Sequence, residues 1–380
     1  MIHRREFSVI VLHLRDSPFV GGPEKQILGQ CARLDRFRFE PLVASFIRDK
    51  PNAFLQEAMA LGMRTASLPD GKLSFVSAAR RLRHIVRDVG NCVVVASGFK
   101  ADFTAAIAGV PWTAWFHGRT SATARVRLYE AADMAVLRRA RAVIAVCERA
   151  ALELRARGLP NVTVISNAVD IEHIESCGSR QSARAELGIG DEPVVGTVSR
   201  LSPEKGIEYV IDAAPAILKK CTAARFVLIG DGPLGSTLRR RAKSLGLADR
   251  VIFAGHRSDA ARLMKAMDVF VLPSVRENMP IALLEAMAAG VSVVATDVGG
   301  VGEVLSGTGV QPIAPRSPQA VAQAVTALLA DPALRAAQAA ALRARADDFS
   351  FARQVRLFEE LFRSDSEAYG FEQSETPIRL

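Results

Sequence analysis

The chain has 380 residues, of which 49% are hydrophobic and 23% charged, and its net charge is +9. That balance is typical of a soluble globular protein and excludes a disordered chain, a collagen-like repeat and a disulfide scaffold, while the length favours two domains. The charge excess lies in residues 1–190, which carry 27 Lys and Arg against 18 Asp and Glu, whereas residues 191–380 carry 22 of each.

The first half of the chain alternates apolar runs of strand length with helical stretches. We predict strands at 8–14, 39–46, 93–96, 112–116, 142–146 and 162–165. A helix is predicted over Lys25–Leu34, directly after Gly21 and Gly22. Runs of β-branched residues separated by helices are typical of a parallel sheet covered on both faces.

A polar connector over 170–192 separates this array from a second one. Its strands are predicted at 193–198, 225–229, 251–254, 269–272 and 291–295, and a helical region from 318 to about 362 follows. The sequence therefore predicts an α/β protein with two doubly wound, Rossmann-like domains facing a central cleft. We place these domains at 1–175 and 190–350.

The segment Pro273–Met287 follows a predicted buried strand and opens a helix. Asn278 is predicted as the N-cap of this helix, with Pro280 in its first turn. Ligands of open parallel sheets bind at the carboxyl ends of strands, so Glu277 and Glu285 can reach different parts of one elongated ligand. A carboxylate can accept two hydrogen bonds from a vicinal diol, and the helix N-terminus offers N–H donors.

Three other clusters also follow predicted strands. Arg200 and Lys205 place two cations in one loop, which suits a diphosphate. Gly21 and Gly22 allow the backbone to approach a ligand closely. A lone histidine is more often structural than functional, but His117 stands beside a glycine at a strand end, where a functional role is favoured.

Together these motifs resemble the GT-B retaining glycosyltransferases of family 4, also called glycosyl transferases group 1. The spacing of Glu277 and Glu285 matches the E-x7-E motif of that family, and the loop of Arg200 and Lys205 matches its phosphate-binding motif. Three more segments look similar to that family: Asn167–Asp170, Gly230–Pro233 and Thr296–Gly300. The resemblance covers nearly the whole chain and is strongest over 194–303.

The resemblance implies a donor site in the second domain. Arg200 and Lys205 would neutralise the diphosphate without a metal, Glu285 would bind the ribose hydroxyls, and Glu277 would contact the transferred sugar. The backbone after Glu277 would hold the sugar hydroxyls; the residues concerned are Asn278, Met279, Pro280 and Ile281. No cofactor or metal ligand is implied.

In the first domain, the resemblance implies that His117 binds the donor sugar and that Gly21 and Gly22 lie against the diphosphate. This domain would also bind the acceptor, and a terminal helix over 353–380 would cross back onto it. The implied activity is transfer of a hexosyl unit, with retention, from a UDP- or GDP-sugar to a glycan or lipid-linked saccharide in cell-surface polysaccharide or lipopolysaccharide biosynthesis.

One departure from the family pattern concerns the sugar. Asn278, Met279 and Pro280 replace the usual Gly-Phe-Gly, and Pro280 has no N–H to donate. The identity of the transferred sugar is therefore the least defined part of the resemblance.

Alternative functions remain open at this point. A nucleotide-sugar epimerase could use the same fold, and a non-catalytic protein could bind the same nucleotide sugar. Gly230, Gly232 and Gly235 also fit the dinucleotide pattern G-x-G-x-x-G, but the next predicted strand ends in Gly255-His256-Arg257 instead of the acidic residue that pattern needs. A dehydrogenase is therefore not favoured.

The basic residues of the N-terminal half form two groups, at 80–87 and 119–141. They suit either an anionic membrane surface or plain solvation, whereas no recognition motif for nucleic acid accompanies them. Five scattered cysteines without a CxxC pair indicate no zinc site or disulfide framework. No apolar run approaches the ~18 residues of a membrane span, and no signal peptide is recognised. We expect a cytoplasmic protein, peripheral on the inner face of the plasma membrane if the basic groups bind lipid.

Overall fold

The computed structural model describes residues 9–47, 51–71, 74–118 and 132–368. The chain forms two compact units: unit 1 comprises Met1–Ser166 and Phe351–Leu380, and unit 2 comprises Asn167–Ser350. The chain therefore passes from one unit to the other twice, at 166–167 and at 350–351.

Unit 1 is built on a seven-stranded parallel sheet of order β3-β2-β1-β4-β5-β6-β7. Its strands are β1 (Val9–Arg15), β2 (Phe39–Ile47), β3 (Arg64–Pro69), β4 (Cys92–Ser97), β5 (Thr113–Phe116), β6 (Ala142–Ala145) and β7 (Val162–Val164). The helices before residue 166 are α1 (Gly22–Arg33), α2 (Ala53–Ala60), α3 (Phe75–Val89), α4 (Phe99–Ala108) and α5 (Glu148–Ala156), and residues 132–137 are also helical. The central strands are buried almost throughout, as continuous apolar runs predict.

Unit 2 is built on a five-stranded parallel sheet of order β10-β9-β8-β11-β12. Its strands are β8 (Val194–Val198), β9 (Arg225–Ile229), β10 (Val251–Gly255), β11 (Val269–Leu272) and β12 (Ser292–Ala295). Its helices are α6 (Ile171–Ser176), α7 (Arg180–Glu186), α8 (Ile207–Lys220), α9 (Gly235–Ser244), α10 (Ala260–Met264), α11 (Ile281–Ala288), α12 (Val301–Leu305), α13 (Pro318–Ala330) and α14 (Pro332–Ala346). The prediction of two doubly wound α/β domains is confirmed.

The last helix, α15 (Phe351–Ala368), belongs to unit 1 although the chain reaches it from unit 2. Phe351 lies so close to α1 that a Cβ at Gly29 would be 2.2 Å from its ring. Phe358 is buried with its ring centroid 4.7 Å from that of Trp115. Apolar side chains thus hold this helix to the sheet of unit 1.

The polar connector predicted at 170–192 folds as α6 and α7 within unit 2. Arg184 on α7 donates to Asp268 Oδ2 at 2.8 Å, and the same oxygen accepts the N–H of Val194 at 2.9 Å. Both side chains of this ion pair are about nine-tenths buried, so the pair fixes α7 against the start of the sheet.

Each sheet has a topological switch point at its first strand. β1 lies between β2 and β4, and β8 lies between β9 and β11. Successive connections leave these strands in opposite directions, which opens a crevice at their carboxyl ends. The loop after β1 carries Gly21 and Gly22, and the loops after β8 and β11 carry Lys205 and Glu277. The fold therefore places predicted site residues at both switch points.

Candidate functional site

In unit 2, Lys205 and Glu277 form an ion pair although 72 residues separate them: Lys205 Nζ lies 2.7 Å from Glu277 Oε1. Ser274 Oγ, which is fully buried, donates to the same oxygen at 2.7 Å. Neither bond engages Glu277 Oε2. The carboxylate is 8% exposed and the lysine side chain 25%, so the ammonium group can still be reached by an anion from solvent.

Two loops carry this pair: the cation loop (Ser199–Gly206) after β8 and the carboxylate loop (Pro273–Pro280) after β11. The carbonyl of Glu204 accepts the N–H of Val275 at 2.8 Å and that of Arg276 at 3.2 Å. The two loops are therefore joined by backbone hydrogen bonds as well as by the ion pair. Arg200 lies exposed on the cation loop.

Gly230 and Gly232 support the cation loop from the neighbouring strand end. A Cβ at Gly230 would lie 1.8 Å from the carbonyl oxygen of Ser199, and one at Gly232 would lie 2.5 Å from that of Leu201. The first two glycines of this G-x-G-x-x-G pattern thus allow the chain to approach its own backbone, whereas a Cβ at Gly235 would meet no atom closer than 3.6 Å. Packing therefore explains Gly230 and Gly232 without a dinucleotide.

Gly299 supports the carboxylate loop in the same way. A Cβ at Gly299 would lie 2.1 Å from the carbonyl oxygen of Glu277 and 2.8 Å from that of Asn278. The N–H of Gly300 donates to the Asn278 carbonyl at 2.6 Å. The Thr296–Gly300 segment therefore fixes the backbone that carries the Glu277 side chain.

The prediction that Asn278 caps helix α11 is wrong, because the N-cap is Pro280. A residue that precedes proline is disfavoured in the α region, so Met279 is a poor helical residue and the helix begins after the proline. The backbone N–H groups of Ile281 and Ala282 lie in the first turn of this helix, where no carbonyl of the same helix can accept a hydrogen bond from them. They therefore point out of its N-terminal end. Glu285 lies one turn further along α11 and is half-buried.

The segment between Glu277 and α11 is also held from the start of unit 2. Asn167 Nδ2 donates to the carbonyl oxygen of Met279 at 2.9 Å, and both residues are buried. The backbone N–H of Asn167 lies 3.2 Å from Met279 Sδ.

In unit 1, the loop of Gly21 and Gly22 is anchored by a buried carboxylate. Glu24 Oε2 accepts the N–H of Gly21 at 2.9 Å, and Glu24 Oε1 accepts Arg15 Nε at 2.7 Å. Arg15 also donates to the carbonyl of Ser97, at the end of β4, at 3.2 Å. Glu24 therefore caps α1 and ties the glycine loop to two strand ends at the switch point.

His117 lies in unit 1 beside the indole of Trp115, with ring centroids 4.6 Å apart. Burial of the ring lowers the pKa of His117 well below its usual value, and the charge of Arg15 and the neighbouring His13 lower it further. The imidazole is therefore neutral at neutral pH and can serve as a hydrogen-bonding group without carrying charge. Burial likewise lowers the pKa of His13, to about 3.

The structure thus brings Lys205, Glu277 and the start of α11 together in unit 2, with Arg200 on the same cation loop. Gly21, Gly22 and His117 belong to unit 1, where Arg15 is the electrostatic neighbour of His117 and the anchor of the glycine loop. Within the described parts of both units, no group of three or more His, Cys, Asp or Glu side chains is arranged to hold a metal ion.

The sequence did not reveal the contacts of three residues that shape these sites: Arg15, Ser274 and Asn167. For Arg15, the one indication was its position just after a predicted strand and close to the glycine loop. Ser274 stood in the segment that carries Glu277, but its bond to Glu277 could not be foreseen from spacing. Asn167 opened one of the segments similar to the family, but its partner lies 112 residues away, and no local pattern links the two.

Two family models match the chain on either side of residue 180. Residues 20–173 match Glycosyltransferase Family 4, and residues 192–331 match Glycosyl transferases group 1. The chain is also 32% identical to the lipopolysaccharide core biosynthesis mannosyltransferase LpsB of Rhizobium meliloti, over 60% of this chain and 67% of that protein. The chain belongs to glycosyltransferase family 4. The prediction made from its motifs is confirmed.

Other proteins similar to this family 4 glycosyltransferase differ in the nucleotide that their names or structures contain. One is the GDP-mannose-dependent phosphatidylinositol monomannoside mannosyltransferase of Mycolicibacterium smegmatis, 37% identical over 43% of this chain and 46% of that one. Among solved structures, HepE of Anabaena with UDP and glucose aligns at a TM-score of 0.81 and 25% identity, covering 94% of this chain and 100% of that one. Sucrose-phosphate synthase of Thermosynechococcus elongatus aligns at 0.75 and 20% identity, covering 95% and 100%. These likenesses support the GT-B fold.

Proposed function

We propose that this glycosyltransferase moves a hexosyl unit, with retention, from a nucleoside-diphosphate sugar to a hydroxyl of a glycan or lipid-linked saccharide. The observation that carries the proposal is the Lys205–Glu277 pair, which joins a cation loop and a carboxylate loop at the switch point of unit 2. Unit 2 would bind the donor and unit 1 the acceptor.

In unit 2, the proposed role of each side chain follows from the sign of its charge. Arg200 and Lys205 stabilise the leaving nucleoside diphosphate, and Glu285 accepts hydrogen bonds from the ribose diol. Glu277 contacts the transferred sugar through Oε2, because Oε1 is engaged by Lys205 and Ser274. The backbone from Asn278 to Ile281 faces the sugar hydroxyls.

Retention follows from a front-face route. The bond between the anomeric carbon and the β-phosphate oxygen breaks, and a bond to the acceptor oxygen forms on the same face of the sugar. The acceptor proton passes to the departing phosphate oxygen, so no separate side-chain base is required. Neutral His117 would hydrogen-bond the donor sugar, and Gly21 and Gly22 would approach the diphosphate.

The similar proteins support UDP or GDP as the carrier and a saccharide or lipid-linked acceptor. A galactosyltransferase of Escherichia coli with 34% identity over 37% of this chain uses UDP-Gal and a diphosphoundecaprenol-linked sugar, according to its name. LpsB and the mycobacterial enzyme are mannosyltransferases. Because all of these are transferases, the epimerase left open by the sequence is not favoured. We place this chain in cell-surface polysaccharide biosynthesis.

A calorimetric panel tests the donor site. We expect one nucleotide family among UDP, GDP, ADP and their common sugar conjugates to bind the wild-type protein, measured with and without Mg²⁺. Arg200→Ala and Glu285→Ala should each weaken that binding by about tenfold or more, since each removes a charge-assisted contact.

Arg240→Ala is the matched control, because it removes an exposed arginine from helix α9 of the same unit and should leave nucleotide binding unchanged. A wild-type protein that binds no nucleotide of the panel would overturn the donor site. A protein that binds a nucleotide sugar but transfers nothing to any saccharide acceptor would support the non-catalytic alternative instead.

A contact between unit 1 and an anionic membrane surface is part of the proposal. Helix α3 exposes Arg80, Arg81 and Arg87 on one side while Leu82 and Ile85 are buried, and the second basic group carries Arg119, Arg125 and Arg127 outside the described residues. None of the helices in the described parts of the chain is long and apolar enough to span a membrane.

Sedimentation with vesicles tests this contact. We expect binding to vesicles rich in the anionic lipid phosphatidylglycerol and little binding to pure phosphatidylcholine. Arg80→Ala with Arg81→Ala should lower the bound fraction several-fold, since each basic residue near the surface contributes about 1 kcal/mol. The control is Lys219→Ala with Lys220→Ala in unit 2, and equal loss in both double variants would argue against a specific face.

A further inference from the structure

Asn167 is a buried polar residue that the proposed chemistry does not use. It is 6% exposed, and its side-chain nitrogen donates to the Met279 carbonyl at 2.9 Å. Its side-chain oxygen is buried without a hydrogen-bond partner among the described residues. An apolar residue here would bury no unpaired side-chain oxygen, but it would take the donor from the Met279 carbonyl. The bond to Met279 is therefore what an amide contributes at this position.

Asn167 also lies at a defined point of the chain, where unit 2 begins. It is the first residue of unit 2 after the chain leaves unit 1. Val169 pairs with Ser350, and the N–H of Val169 donates to the Phe349 carbonyl at 2.8 Å. The outgoing and returning segments of unit 2 therefore lie side by side, and Asn167 reaches the carboxylate loop from this point.

A hydrogen bond to the Met279 carbonyl acts on the short stretch of backbone that joins Glu277 to helix α11. Met279 stands between Glu277, whose side chain is fixed by Lys205 and Ser274, and Pro280, which begins helix α11. The Asn278 carbonyl is already held by the N–H of Gly300. With Met279 bound to Asn167, two successive carbonyls of the loop are fixed, and so is the direction in which the remaining backbone groups point.

We propose that Asn167 is a positioning residue: through the Met279 carbonyl it fixes the backbone between Glu277 and α11 in the form that receives the transferred sugar. This inference rests on the proposed function for the identity of the ligand. The contact itself is independent of that function. Among the described residues, the hydrogen bonds of Asn167 go to Met279 and not to Arg200, Lys205 or Glu285, so its effect should appear in turnover and not in nucleotide affinity.

Asn167→Asp tests the proposal because aspartate has the same size but presents only acceptor oxygens to the carbonyl. Hydrogen exchange measured by mass spectrometry should rise in peptides that cover 277–285. In steady-state kinetics, kcat should fall by about tenfold or more, as expected for loss of one buried hydrogen bond. The dissociation constant of the nucleoside diphosphate should stay within about twofold of the wild-type value.

Gln354→Glu is the matched control. Gln354 is 3% exposed and donates to the carbonyl of Ser166 at 2.8 Å, one residue before Asn167, but it belongs to unit 1. Gln354→Glu also loses a buried amide donor, but it should leave both kcat and hydrogen exchange in residues 277–285 unchanged. Unaltered exchange in this segment in Asn167→Asp, or an equal rise in Gln354→Glu, would overturn the positioning role. A wild-type enzyme without nucleotide binding would instead count against the proposed function, and the exchange result would still decide the role of Asn167.

Discussion

Glu277→Gln should lower kcat by about two to three orders of magnitude, the effect typical of removing one preorganised electrostatic group from an active site. The substitution keeps the size of the side chain but removes its charge. Lys205, 2.7 Å away, then loses its ion-pair partner, and the sugar loses the carboxylate whose other oxygen, Oε1, is held in place by Ser274 and Lys205. We expect nucleoside diphosphate affinity to change much less than kcat.

Glu172→Gln is the control for this prediction, because Glu172 is exposed on helix α6 of the same unit and should keep full turnover. Glu277→Gln combined with Lys205→Met completes a double-mutant cycle. Since the two side chains are in direct contact, their effects should be strongly non-additive. Turnover above one tenth of the wild-type value in Glu277→Gln would exclude the proposed role.

Gly299→Ala should abolish most of the activity without touching any proposed site side chain. The added Cβ would lie 2.1 Å from the Glu277 carbonyl oxygen and 2.6 Å from its carbonyl carbon, so the carboxylate loop must move. A displacement of about 1 Å at a reacting group can cost about a hundredfold in rate. We expect kcat to fall by about that factor, together with a lower melting temperature.

Gly290→Ala separates this clash from the cost of an unusual backbone angle. Gly290 has φ +66° and Gly299 has φ +56°, but a Cβ at Gly290 meets nothing within 4 Å. Both variants place alanine in the left-handed region, at a cost of about 1–2 kcal/mol. Only Gly299→Ala should lose activity as well, and equal turnover in the two variants would show that the packing of Gly299 on the loop is unimportant.

Much of the fold could be predicted because it depends on periodic local patterns. The central strands β1 and β4 are buried almost throughout and are largely apolar runs, which are recognisable in any sequence. Strand β3 could not be recognised, because it lies at the sheet edge and most of its side chains are exposed or half-buried. The N-cap of α11 was predicted at Asn278 because asparagine is a good capping residue. Pro280, however, disfavours a helical conformation of Met279, so the helix begins after the proline.

The sequence by itself determined the family, the alternation of strands and helices, and which loops carry charge. Each of these depends on residue types that lie close together along the chain. Only the tertiary structure decided that Lys205 binds Glu277, that Ser274 shares the same oxygen, and that Asn167 holds Met279. Lys205 and Glu277 are 72 positions apart and meet because the parallel strands β8 and β11 end at the same edge of one sheet. Asn167 and Met279 are 112 positions apart and meet because the chain enters unit 2 beside the carboxylate loop. The same packing decided which glycines are required, because Gly230 and Gly299 each lie against the backbone of a neighbouring loop that no local pattern identifies.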